Sequence, residues 1–300
     1  MPLFSQTAVS AGMRLDRYIA ESLGLLSRSQ IKARRLTARV NGKDVKVSRI
    51  VKDGDFIELC WEEAEPVNII PENIPLDIIY EDERAVVIDK PQGMVVHPGA
   101  GNWRGTLANA LYHRRLERGR VSGGEGLRPG IVHRLDKDTS GVIIAAYDDE
   151  ALAVLAGQFK SRKAKKTYVA IVSGTPKDKK GRIETCIARD PKDRKRFAVA
   201  VQGRSALTLY SVVKTWRSHS LVLLRPKTGR THQLRVHMRY LGHPIVGDPL
   251  YGHADPLFPR ASLMLHARRL AITLPGETDE RVFKSPLPQR FTDMIARLDE

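Results

Sequence analysis

Asp136 stands in the run His133-Arg134-Leu135-Asp136-Lys137-Asp138-Thr139-Ser140-Gly141, charged residues closed by a glycine between two apolar segments, 130–132 and 142–147. A strand–loop–strand reading holds its carboxylate at the end of a rigid sheet, where catalytic groups are usefully held. Two further stretches carry matching chemistry. Lys165-Lys166-Thr167-Tyr168 is a basic turn feeding a strand with a tyrosine near its start. Thr228-Gly229-Arg230-Thr231-His232-Gln233-Leu234-Arg235-Val236-His237 opens on a glycine and carries two arginines, and the turn-rich segment 242–252 follows it. His232 and His237 are five residues apart, which does not set two ligands on one helix face, so no metal site is expected. Neither GxxxxGK[ST] nor GxGxxG after a strand occurs, so no nucleotide cofactor is expected. The chemistry then falls to side chains alone.

Those residues must be carried by elements. Strand-like runs at 85–89, 167–172 and 220–224 alternate irregularly with helical stretches at 106–112 and 149–160. Irregular alternation predicts a mixed α+β sheet rather than a parallel barrel. Ahead of this body, residues 13–65 read as a small module. Leu15, Tyr18, Ile19 and Leu23 recur at helical spacing up to Gly24. Ser27 and Gln30 form a capping box for a second helix, on which Lys32, Arg35 and Arg39 are expected to share one face. Val40-Asn41-Gly42-Lys43 predicts a type I′ hairpin, and Asp53-Gly54 a turn before the strand 56–61. Three prolines within 66–75, after an acidic run, predict an extended linker, leaving 76–300 for the catalytic body.

Composition narrows the partner. The 300 residues are 42% hydrophobic with a formal net charge of +16. Residues 28–52 hold nine lysines and arginines, Arg28 among them, against Asp44 alone, which is half of that excess. A clustered excess of this kind favours a polyanion, because neutralised phosphates release their counterions. No apolar run reaches the roughly 20 residues of a membrane span. Two distant cysteines and the lack of a secretory pattern at residues 1–7 lead to the expectation of a cytoplasmic protein without disulfides.

The three chemical segments resemble, almost end to end, the motifs of the RluA-type pseudouridine synthases. Val95-Val96-His97-Pro98-Gly99-Ala100-Gly101 and Phe283-Lys284-Ser285-Pro286-Leu287-Pro288 resemble flanking signatures of the same family. Met13-Arg14-Leu15-Asp16-Arg17-Tyr18-Ile19, Ser27–Ile31 and Val40-Asn41-Gly42 resemble the RNA-binding module first recognised in ribosomal protein S-four. That combination, with Arg189-Asp190-Pro191-Lys192-Asp193-Arg194-Lys195, is most similar to the family's D-type branch, which acts on large-subunit ribosomal RNA.

The resemblance implies a mostly antiparallel central sheet with flanking helices and isomerisation of uridine within RNA, without cofactor. Asp136 would act on the sugar, as nucleophile at C1′ or base at C2′, with Arg235 as its counter-ion and Tyr168 stacked on the uracil. Arg134 would replace the extruded nucleotide, with His133 assisting. Leu234 would line the uracil pocket, and Arg230 and Lys166 would contact phosphates. Arg28, Lys32, Arg35 and Arg39 would grip structured RNA. The implied partner is large-subunit ribosomal RNA or a pre-ribosomal particle, met by a monomer. A catalytically silent assembly factor is the alternative, against which the presence of Asp136, Tyr168 and Arg235 together speaks.

Overall fold

The computed structural model describes residues 3–9, 12–26, 28–62, 69–99, 101–119 and 130–300. The chain divides into two compact units, Met1–Asn68 and Ile69–Glu300.

The first unit contains β1 (Leu3–Thr7), α1 (Leu15–Arg17, continued by a wider helical turn over Tyr18–Ser22), α2 (Arg28–Ala33), β2 (Thr37–Val40), β3 (Lys43–Val45) and β4 (Phe56–Cys60). Its antiparallel sheet runs β1-β4-β2-β3. Leu15, Tyr18 and Ile19 bury the helical stripe against Ala38, Val40, Ile57 and Leu59. Asn41 (φ 53°) and Gly42 (φ 75°) make the type I′ turn that joins β2 to β3. The reading from residue 13 leaves out β1, whose five positions include just one that is half-buried, too faint a pattern to register.

One expectation for this unit is corrected. Lys32, Arg35 and Arg39 do not share a helix face. The helix α2 stops at Ala33, Arg35 turns left-handed at φ 45°, and Arg39 lies on β2. No glycine or proline marks that stop. The hairpin decides it, because Val40-Asn41-Gly42 needs an extended strand before its turn. Lys32 is exposed, Arg35 pairs with Glu62 at 3.3 Å and Arg39 with Asp44 at 3.4 Å. The Ser27 cap and the Arg28 side chain lie outside the described residues.

The second unit follows as β5 (Asp77–Glu81), β6 (Ala85–Lys90), α3 (Leu107–Glu117), β7 (Ser140–Ala146), α4 (Asp149–Lys160), β8 (Lys165–Ser173), β9 (Lys180–Arg189) and β10 (Phe197–Val199). It continues with β11 (Arg204–Thr215), β12 (His219–Pro226), α5 (Gln233–Tyr240), β13 (Leu265–Thr273), β14 (Glu280–Lys284) and α6 (Gln289–Asp299). Ten strands make one α+β sheet in the order β10-β9-β11-β12-β8-β13-β7-β6-β5, with β14 beside the second half of β13. Every pairing is antiparallel except β13 with β7. Along β6 and β7 the side chains alternate between two cores. Val86, Ile88, Ile143 and Ala145 join the core holding Leu107 and Leu111 of α3, Leu234 and Met238 of α5, and Phe291 of α6. Ala85, Val87, Val142 and Ile144 face the core holding Ala151 and Leu155 of α4. Burial on both faces explains why β7 reads as one continuous apolar run.

The parallel pair sets the centre of this sheet. His266 of β13 lies beside Ser140, where the Asp136 loop enters β7, and Ala267 lies between Gly141 on one side and Tyr168 of β8 on the other. The backbones approach so closely that a Cβ on Gly141 (φ +113°) would stand 2.3 Å from the Ala267 carbonyl oxygen. Gly141→Ala is therefore expected to destabilise this unit by about 3 kcal/mol through clash and backbone strain. An unchanged thermal midpoint would contradict the close approach.

Two local expectations also change. The lead-in to the loop is a single bridge, Ile131 to Ala145, rather than a strand, because the chain turns sharply at Gly130 (φ +68°). Of the expected linker, 66–68 lie outside the described residues, and 69–74 are packed rather than free. There Glu72 accepts from the Gly105 amide and Asn109 Nδ2 donates to the Ile70 carbonyl, fastening the segment to the start of α3.

Candidate active site

The Asp136 loop is held by its own carbonyls. Thr139 N–H donates to Asp136 O at 3.1 Å, and Gly93 N–H to Lys137 O at 2.9 Å. Gln92 Nε2 donates to Asp138 O at 2.9 Å and to Leu263 O at 3.0 Å. Lys90, wholly buried, donates from Nζ to Pro91 O and Met94 O at 2.8 Å and to Lys137 O at 3.1 Å. Behind the loop, His266 bridges Ser140 Oγ (2.9 Å) and Ser285 Oγ (3.0 Å), and Arg290 donates to Ser140 Oγ at 2.6 Å. So many anchors leave the carboxylate a narrow range of positions, which is what pre-organisation requires.

Burial pushes the Lys90 ammonium down to about 8, with the charges of Asp138 and Asp136 opposing. Lys90→Met is expected to take their shared donor from the Pro91, Met94 and Lys137 carbonyls, of which Lys137 O alone keeps a second donor among the described residues. At roughly 1–3 kcal/mol for each unpaired group, the unit loses about 3 kcal/mol. The urea midpoint reads this directly, and a midpoint within error of wild type would show the carbonyls satisfied some other way.

Asp136 faces Arg235 of α5. The Asp136 Oδ2 to Arg235 Nη1 distance is 3.6 Å, and Arg235 is committed more strongly to Asp248. Arg235 Nε and Nη2 each donate to Asp248 at 2.7 Å, a fork-to-fork pair buried on both sides. Asp248 also accepts the backbone N–H groups of Leu250 (2.9 Å) and Tyr251 (3.0 Å). Arg235 is thus aimed by Asp248 and presents its remaining nitrogen to Asp136. Tyr168 is buried on the same cavity wall. Burial first, and the Asp136 charge second, raise its phenol well above the ordinary tyrosine range, so it is a neutral hydroxyl at physiological pH.

These groups line a cavity of about 530 Å³, a size suited to a nucleotide. Arg134, Leu234, Arg230 and Lys166 all lie on its walls. Arg134 is exposed; Leu234 is buried; Arg230 is tied by Nε to Ser205 O at 3.0 Å. Lys166 Nζ lies 5.6 Å from the Phe159 ring centroid, and burial lowers its pKa. His133 also lines the cavity, but its Nε2 accepts the Ile144 N–H at 3.2 Å and its ring stacks on Phe159 at 4.3 Å. Burial lowers it to about 3, so it is a neutral support for the loop. Lys90, Gln92, Asp248, His232 and Tyr251 were not singled out from sequence as site residues. The turn-rich segment 242–252 was the visible trace of Asp248 and Tyr251, and His232 was weighed only as a metal ligand.

Among the described residues no three His, Cys, Asp or Glu side chains gather as metal ligands. Seven of the lining residues are lysine or arginine and one is a carboxylic acid. Such a cavity suits a substrate that brings its own negative charge, as a nucleic acid does. Residues 84–240 match the RNA pseudouridylate synthase family. The ribosomal large subunit pseudouridine synthase D of Borreliella burgdorferi is 43% identical over 298 residues, covering 97% of this chain and 91% of that one. The protein of the same description from Xylella fastidiosa is 39% identical, covering 97% and 90%. The solved structure of human RNA pseudouridylate synthase domain containing 4 superposes with a TM-score of 0.60 at 29% identity, over 74% of this chain and 93% of that one. The chain belongs to the RNA pseudouridylate synthase family and is an isomerase.

Proposed function

We propose that the substrate is uridine in large-subunit ribosomal RNA, and that Asp136, Arg235 and Tyr168 do the chemistry. The observation carrying this reading is the Asp136 carboxylate held beside Arg235 and Tyr168 in one cation-rich cavity. The relatives named for the large ribosomal subunit support the choice of RNA.

The reaction breaks the bond from ribose C1′ to uracil N1, turns the base and joins C1′ to C5. Nitrogen N1 gains a proton and C5 loses one, so atoms and electrons balance without a co-reactant. Asp136 acts on the sugar, at C1′ as nucleophile or at C2′ as base, much as glycosidase carboxylates act at an anomeric carbon. Arg235 orients that carboxylate inside an RNA-covered site. Tyr168 offers the flat face on which uracil rests while detached. A duplex or stacked uridine reaches the cavity only when flipped out, at a cost of a few kcal/mol, and the exposed Arg134 guanidinium fills the gap it leaves. Lys166 and Arg230 take phosphates.

The first unit, by its likeness to the S-four-type module, grips structured RNA through Lys32, Arg35, Arg39 and Arg28. The enzyme works in the cytoplasm as a monomer, on ribosomal RNA or an assembling particle. No described helix is long and apolar enough to cross a membrane. The test is release of the C5 hydrogen label from uridine-labelled large-subunit, small-subunit and transfer RNAs. Release confined to large-subunit RNA is expected. Release from transfer RNA alone would overturn the substrate assignment, and tight binding with no release from any RNA would favour an assembly factor.

A further inference from the structure

Of the described non-glycine residues, Arg35, Asn41, Arg162 and His232 hold a left-handed backbone. Asn41 belongs to its hairpin and Arg35 follows α2. Arg162 and His232 both line the cavity around Asp136. His232 is the less expected of these two. It stands at the N-cap of α5, where an extended backbone is usual, yet holds φ 55° and ψ 16°. A side chain with a Cβ rarely adopts this conformation, and where strain persists the surroundings over-determine it.

Those surroundings are specific. The imidazole is edge-on to Phe197 (5.7 Å, 78°) and to Tyr251 (5.6 Å, 80°). Its Nδ1 is 2.8 Å from the Tyr251 hydroxyl, which accepts the Phe197 N–H, also at 2.8 Å. Because that oxygen already accepts one hydrogen bond, its own proton is best used toward Nδ1. The ring proton then resides on Nε2, for which no described residue is a partner. Burial lowers the pKa of the ring, so the neutral tautomer is the one that matters. Nδ1 is taken by the Tyr251 hydroxyl and His232 lines the cavity, which leaves Nε2 as the ring nitrogen for a substrate.

We propose that His232 is a further substrate-binding residue, donating a hydrogen bond from Nε2–H to an acceptor oxygen of the nucleotide that Asp136 acts upon. This rests on the reading that the cavity receives a uridine. The same joint carries two further cations. Arg189 lies over Phe197 at 5.0 Å and Arg196 over Tyr251 at 5.5 Å, so the basic β9–β10 arm and the histidine share one anchor. Arg235 lies over the Tyr251 ring at 5.0 Å, which puts donor and counter-ion on a common support.

The test compares His232→Asn, His232→Gln and Tyr251→Phe. Asparagine tolerates the left-handed backbone and reaches only as far as Nδ1, so it keeps Tyr251 and loses the donor. Glutamine extends an amide N–H to about the Nε2 position. Single-turnover release of the C5 label at saturating RNA is expected to fall roughly 30-fold or more in the Asn variant, the scale of losing one aimed donor. The Gln variant stays within about fivefold of wild type, and the RNA Kd of both is unchanged within about twofold. Tyr251→Phe keeps the ring stack, removes the hydrogen bond that aims the imidazole, and slows release several-fold. Asn at the wild-type rate, or Asn and Gln slowed alike, overturns the assignment. So does Tyr251→Phe at the wild-type rate, which decides the matter should both His232 variants misfold. Wild type runs in parallel on the same RNA. Failure of the substrate reading appears as absent wild-type release, whereas failure of the histidine assignment appears only in the variants.

Discussion

Asp136→Asn releases the C5 label at least about 10⁴-fold more slowly than wild type, the scale of losing an essential nucleophile or base, while binding RNA with a Kd within about threefold. The substitution is nearly isosteric, so the loop keeps its anchors at Thr139, Gly93, Gln92 and Lys90, all of which bind backbone carbonyls rather than the Asp136 side chain. What disappears is the negative charge and the oxygen able to attack or take a proton. Arg235 is not left as an orphaned buried charge, because its two hydrogen bonds to Asp248 remain. The thermal midpoint therefore moves little, which separates loss of chemistry from loss of fold. A variant retaining a tenth of the wild-type rate would mean that another group acts on the sugar.

The second large effect is acid sensitivity. His237 and His266 are fully buried, and burial lowers both to about 4, against about 6.5 in an unfolded chain. His237 is held neutral between Thr208 and Thr185, and His266 between Ser140 and Ser285. A folded pKa below the unfolded one means that the unfolded chain binds more protons between pH 6.5 and 4. Stability contributed by these groups is therefore full above 6.5 and is lost as the pH falls. Each histidine removes about 2 kcal/mol between pH 7 and pH 5, so the pair removes about 4 kcal/mol. His133, lowered to about 3, adds to the loss in the same direction. The window lies above the ordinary carboxylate range, and Glu81, held at about 2 chiefly by Arg114, does not titrate within it. Urea unfolding of the second unit at the two pH values reads the difference. His237→Gln should reduce that difference by about 2 kcal/mol, and equal stability at pH 7 and pH 5 would show that these imidazoles titrate normally.

Much was legible in the order of residues because the relevant physics is local. The type I′ turn at Asn41-Gly42, the helix beginning after Asp148 and the strands around 85–89, 167–172 and 220–224 follow from φ preferences, capping and apolar runs. The placement of Asp136 in a glycine-ended loop entering a buried strand was legible for the same reason. The failure has a longer-range cause. Residues 32–39 have good helical spacing and no stop signal, yet Arg39 was claimed by its pairing with Glu58 on β4, across 19 residues of chain.

What the amino-acid order determined by itself was therefore the list of reactive groups, the elements carrying them and the sign of the partner's charge. Tertiary structure decided which groups meet. Asp248 grips Arg235 across 13 residues, Lys90 reaches Lys137 across 47, and Ser140 meets His266 across 126. It also decided that His133 faces inward and that His232 is bent into a left-handed cap. These outcomes depend on which strands become neighbours and which polar atoms lose water. Burial and long-range pairing arise only when the sheet closes, so no window of sequence contains them.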